Sequence, residues 1–81
     1  MGEVDGELRK RLWLAISTTL TEENTYILWE LFNKERSMAS IAREIGIGTD
    51  RVRRRKLRSL NKLRDNEVIQ QLARDFYGIP I

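Results

Sequence analysis

Gly46 stands between two segments of opposite character, and that arrangement limits the folds open to the chain. Before it, Met38, Ile41, Ala42 and Ile45 recur at helical spacing behind Ser37, whose hydroxyl can cap a helix. After it, Gly48-Thr49-Asp50 restarts the backbone as a helix running to about Arg64, with Thr49 or Gly48 at the cap and Asp50 in the first turn. Two helices joined by so short a turn must cross, which requires a small residue at the contact and apolar anchors around it. Ala42 is the small residue, Gly46 follows four positions later, and Ile41, Ile45, Ile47 and Val52 are the anchors. Ser37 to Arg64 therefore predicts a helix-turn-helix. Arg55 is discordant: an aliphatic anchor is expected three residues after Val52, and an arginine there must run its stem along the core edge with its charge in water or on a phosphate.

The flanking segments are also helical. Leu8, Leu12, Ala15 and Ile16 form a stripe that begins after Asp5-Gly6, with Arg9, Lys10 and Arg11 turned away and Trp13 at its edge. Ser17-Thr18-Thr19 is expected to break that helix, because short hydroxyl side chains compete for backbone hydrogen bonds. Thr21 then caps a second helix with Glu22 and Glu23 in its first turn, where the helix dipole favours acids. Its apolar set, Ile27, Leu28, Leu31 and Phe32 widened by Tyr26 and Trp29, predicts the centre of the core. Asn33 to Arg36 reads as a polar connection. Asp65-Asn66 caps a last helix marked by Val68, Ile69, Leu72 and Phe76 and closed by Gly78 and Pro80. No stretch alternates with period two, so the expectation is an all-α bundle of about five helices. It forms a single domain over residues 1–81, with the helix-turn-helix at about 37–64 and the C-terminal helix at about 66–77.

Composition closes off several chemistries. The 81 residues include no cysteine and no histidine, which removes disulfides, thiolate catalysis and the usual zinc ligands, so no metal or cofactor is expected. Glu22, Glu23, Glu44, Asp50, Glu67 and Asp75 read as helix-start or surface acids, and no nucleophile stands beside an activating base, so no catalytic residue is assigned. Apolar runs fall well short of the roughly 18 residues that span a bilayer, and the N-terminus lacks an apolar signal core. The expectation is a soluble, cytoplasmic protein with no membrane partner.

Net charge is only +3, but its placement is uneven. Between Arg51 and Arg64 there are eight basic residues and no acidic one. Advancing 100° per residue, Asp50, Arg53, Arg54 and Leu57 share one strip, while Val52, Ser59 and Leu63 lie on the other side. The first strip suits a major groove: arginine can contact guanine in bidentate fashion, Asp50 can accept from a cytosine amino group, and Leu57 can touch a thymine methyl. Arg51, Arg55, Arg58 and Lys62 flank it as phosphate contacts. Double-stranded DNA is the expected partner. RNA fits less well, since no aromatic stacking sheet is in sight.

With those residues in view, the segment resembles region four, the C-terminal promoter-reading domain of bacterial sigma factors. Leu20-Thr21 followed by Ile27-Leu28 and Leu31-Phe32 is similar to that family's opening helix, and SMASIAREIGIGTDRVRRRKLRSLNKLR to its helix-turn-helix, including the closing Ser59-Leu60-Asn61-Lys62-Leu63-Arg64. The resemblance covers about Leu20 to Arg64 and also fits small phage or mobile-element regulators. It implies an all-α fold, reading of a minus-35-type promoter element, and a grip by the first helices on the beta-subunit flap of RNA polymerase. By position it assigns base reading to Thr49, Asp50, Arg53 and Arg54, and a phosphate contact to Ser37. It also implies a bacterial cytoplasm, at the nucleoid. Three positions depart from the pattern: Gly48 replaces a Ser/Thr cap, Arg54 stands where glutamine is common, and Arg55 replaces an aliphatic anchor. No aromatic-rich domain for a minus-10 element is present, so the expectation is a small regulator, a part of a split sigma factor, or an excised domain.

An alternative from a different class is a protein-interaction module that binds the polymerase flap or an anti-sigma-type partner and reads no DNA. Trp13, Tyr26 and Trp29 would carry such contacts, although their helical spacing favours core packing. The expected oligomeric state is a monomer or a weak dimer, the latter through a C-terminal patch of Ile69, Leu72, Phe76 and Ile79.

Overall fold

A computed structural model describes residues 2–77, with side chains from Gly6 onward. Gly78, Ile79 and Pro80, expected to close the last helix or extend its apolar patch, lie outside the described residues. Five helices follow in order: α1 (Gly2–Thr19), α2 (Glu22–Asn33), α3 (Met38–Ile45), α4 (Thr49–Arg64) and α5 (Glu67–Tyr77). No strand occurs among the described residues.

Local chemistry sets most helix ends. Thr21 accepts from the Asn24 N–H at 3.2 Å, Ser37 from the Ser40 N–H at 3.1 Å, and Asn66 from the Ile69 N–H at 3.1 Å. Gly46 closes α3 at φ +77°, a left-handed conformation in which the Gly46 and Ile47 N–H groups both return to the Ala42 carbonyl. The cap of α4 resolves to Gly48, with Thr49 as the first helical residue.

Two sequence expectations fail at helix ends. Ser17, Thr18 and Thr19 do not break α1. Their hydroxyls donate to the carbonyls of Leu14, Ala15 and Ala15 at 2.8, 2.8 and 3.0 Å, so the competing hydrogen bonds are made within the helix, which runs on to Thr19. The same helix starts earlier than Asp5-Gly6, at Gly2.

α2 lies between two apolar clusters, as expected of the most hydrophobic segment. Ile27 faces Ile41, Ala42 and Val52, the crossing of α3 with α4, where Leu31, Met38, Ile45 and Ile47 pack at the edge. Leu28 faces a larger cluster of Leu12, Trp13, Ile16, Leu20, Leu63, Ile69 and Ala73, which draws α1 and α5 onto the far side of the helix-turn-helix. In α5 the buried face is Ile69 and Ala73, one step round from the stripe expected, and Val68 is 64% exposed. With Ile69 buried in the chain's own core, the proposed dimer patch is not available as an intact surface.

Candidate nucleic-acid interface

Burial along α4 separates its two sides. Val52, Ser59 and Leu63 are buried, whereas Thr49, Asp50, Arg53, Arg54 and Leu57 are all exposed, Leu57 at 54%. An apolar side chain so exposed in the middle of an arginine-rich face is held in water by the helix register, not by packing. The proposed base-reading residues therefore lie on one continuous solvent face. Within it, the Arg53 Nη1 donates to Asp50 Oδ1 at 3.1 Å, a pair three residues apart on one helix.

The flanking cations divide unequally. Arg51, Arg58 and Lys62 are exposed. Arg51, Arg54, Arg55 and Arg58 line a polar cleft of about 520 Å³ against Thr21 and Asn24 at the start of α2. Arg55 is half-buried and ion-paired with Glu23 of α2. Its charge, expected in water or on a phosphate, meets a carboxylate 32 positions away in sequence. Ser37 caps α3; its oxygen accepts from the Ser40 N–H while its own proton remains available to a phosphate.

An ion network anchored on the buried Glu30 fixes α3 against α2, and it was not anticipated. Glu30 is only 3% exposed, three residues after Ile27 and facing the helix-turn-helix. Arg36 donates from Nη1 to Glu30 Oε1 at 2.8 Å and to Glu44 Oε1 at 2.7 Å, and from Nη2 to Ser40 Oγ at 3.0 Å. Lys34 Nζ lies 3.2 Å from Glu30 Oε2, and the Tyr26 hydroxyl donates to Glu44 Oε1 at 2.8 Å. Hydrogen bonding from Arg36 holds both carboxyls below their ordinary pKa; those carboxylates, Glu30 first, push the arginine up, and the Glu44 hydrogen bond pushes up the Tyr26 phenol. Asn33 to Arg36, expected as a plain connection, is thus the hinge point of the network. The chain reverses there through Glu35 at φ +52°, with the Arg36 N–H returning to the Glu30 carbonyl at 3.1 Å. A carboxylate one helical turn after Ile27, on the side facing α3, was the signal in the sequence.

The three aromatic residues assigned to a protein partner separate as well. Trp13 is buried: its ring meets Trp29 edge-on at 5.2 Å, and its Nε1–H donates to the Tyr77 hydroxyl at 3.0 Å. It packs in the core, the reading that its helical spacing favoured. Trp29 is half-buried with the Arg9 guanidinium 6.0 Å from its ring centre, and Tyr26 is committed to Glu44. The edges of Trp13 and Trp29 still floor a shallow groove of about 480 Å³ beside Arg9, Lys10 and the exposed Leu14.

Among the described residues no group of acids, cysteines or histidines could hold a metal ion, and no helix is long and apolar enough to cross a membrane. Residues 18–65 match the family model described as Sigma-70, region 4. No curated protein and no solved structure matches the chain.

Proposed function

The chain belongs to the sigma-70 region 4 family, a helix-turn-helix family of DNA-binding, transcription-related domains, and on that premise we propose that it reads a minus-35-type promoter element through α4 and contacts RNA polymerase. The observation that carries this reading is the continuous solvent face of Asp50, Arg53, Arg54 and Leu57 opposite the buried Val52, Ser59 and Leu63. In a major groove Arg53 and Arg54 contact base edges, Asp50 exchanges its Arg53 partner for a cytosine amino group, and Leu57 meets a thymine methyl. Arg51, Arg58 and Lys62 neutralise phosphates, and Ser37 donates to one from the start of α3. The α2–α3 ion network serves this geometry by fixing the angle at which α3 presents α4. The place of action is the bacterial cytoplasm, at the nucleoid.

Contact with polymerase is the second part of the proposal. α1 and α5 cover the Leu28 side of α2, so the surface left for a protein partner is the shallow groove around Leu14 and Trp29.

Selection of bound genomic fragments, with and without polymerase core enzyme, supplies the site, and fluorescence anisotropy then tests the reading. Arg53→Ala and Arg54→Ala each lose about 1–3 kcal/mol of discrimination between that site and a shuffled duplex. Lys62→Ala weakens both duplexes alike and lowers the salt slope by about 1. Unchanged discrimination in both arginine variants refutes base reading by α4. Capture of polymerase with no duplex bound would assign the chain to protein interaction alone.

A further inference from the structure

The cleft between the start of α2 and the side of α4 is a charge arrangement that the fold leaves unbalanced. Arg51, Arg54, Arg55 and Arg58 converge on about 520 Å³, and among the described residues their only ion pair is the one between Arg55 and Glu23. Guanidinium groups cannot lose their protons in a protein, so like charges gathered in one cleft repel unless an anion enters. Thr21 and Asn24 complete the wall with polar groups, and no acidic residue lines it. The cleft opens on the flank of α4, beside the proposed base-reading strip.

We infer that this cleft is an anion site for a phosphate of the DNA backbone, and that Glu23 is its internal counter-ion. The inference rests on the DNA-binding reading above and adds a second element to the interface. DNA docked along the α4 strip would pass a backbone phosphate over the start of α2, where Arg51 and Arg58 meet it directly. Arg55 must leave Glu23 to join them. The Glu23–Arg55 pair is partly exposed, with side chains 50% and 35% accessible, so the exchange is feasible without opening the core. Arg55 then acquires a purpose at the position where an aliphatic anchor was expected: it is a phosphate cation held in reserve. Glu23 lowers affinity for any duplex, and the cost falls equally on cognate and random sequence.

The test is a double-mutant cycle in anisotropy, with the full chain on a random-sequence duplex and on the selected site. Glu23→Gln binds both duplexes tighter, by roughly two- to fivefold, the effect of freeing one exposed ion pair. In an Arg55→Ala background that gain disappears, because the cation it released is gone. A gain that persists without Arg55 marks generic removal of a negative charge and overturns the inference, as does the absence of any gain. Arg51→Ala and Arg58→Ala each lower the salt slope by about 1, and an unchanged slope in both also overturns it. Failure here with Arg53 and Arg54 discrimination intact leaves the promoter-reading function standing. A wild-type chain that binds neither duplex removes both.

Discussion

Ser59 puts a hydroxyl into the wall that α4 turns toward the core, only 2% exposed and with no hydrogen-bond partner on its oxygen. A buried polar group without a partner costs about 1–3 kcal/mol relative to a satisfied or apolar one. Ser59→Ala removes the hydroxyl and leaves the Cβ packing in place. It should stabilise the chain by about 1 kcal/mol, seen as a thermal midpoint higher by roughly 4–8 °C in a domain of this size. In the closing Ser-Leu-x-Lys-Leu-Arg pattern the structure gives that serine no contact to serve. Arg55 presents the reverse case: it departs from the expected residue type, yet it is half-buried and its charge finds a partner in Glu23.

The join between α2 and α3 is where charge, not apolar packing, sets the geometry of the motif. Glu30 and Glu44 are both held below the ordinary carboxyl value of 4.5 by hydrogen bonds from Arg36. A carboxyl whose folded pKa is depressed contributes stability that is fully present above its unfolded value and lost as pH falls through the folded one. The thermal midpoint should therefore begin to fall as pH drops through the ordinary carboxyl range, and go on falling below it as the two depressed groups take up protons. Glu30→Gln should be less stable at neutral pH, show a shallower acid limb, and converge with wild type at the acid end. Parallel curves for the two proteins would mean that the network does not govern acid stability. The sequence made the helix ends legible because Thr21, Ser37, Gly46 and Asn66 act on backbone groups within a few residues. The α4 face was legible for the same reason, since Val52, Ser59 and Leu63 recur at helical spacing. Glu30–Arg36–Glu44 and Glu23–Arg55 were not, because each depends on a chain reversal or a helix crossing that brings distant side chains together. Trp13 was ambiguous at the edge of its stripe until α5 arrived to cover it.

Across the whole molecule, the family match ends near the helices that close the fold: α5 and most of α1 lie outside residues 18–65. These two pack on each other and on the Leu28 side of α2, so the segment that carries the motif gains its larger apolar cluster from outside itself. Ile69 and Ala73 are fully buried there, and Tyr77 ties the layers by accepting from Trp13 and donating to Asn33 Oδ1 at 2.9 Å. Burying a residue such as Ile69 is worth about 1.5–3 kcal/mol, against a total stability for domains of about 5–15 kcal/mol, and a chain this small belongs at the low end. Removing residues 67–81 should abolish cooperative unfolding, with loss of the near-ultraviolet circular dichroism of Trp13 and Trp29. Tyr77→Phe is the graded counterpart. It keeps the ring contacts with Phe32 and Phe76 but removes both hydrogen bonds, and should lower stability by about 1–3 kcal/mol with the transition still cooperative. If the truncated chain melts cooperatively near the wild-type midpoint, the smaller cluster of Ile27, Ile41, Ala42 and Val52 sustains the motif alone, and the α1–α5 layer is an addition to a self-sufficient helix-turn-helix. If it does not, duplex binding is coupled to a layer that touches no DNA. Mutations around Trp13 would then weaken affinity on every sequence in proportion to the unfolded fraction, leaving discrimination between sites unchanged.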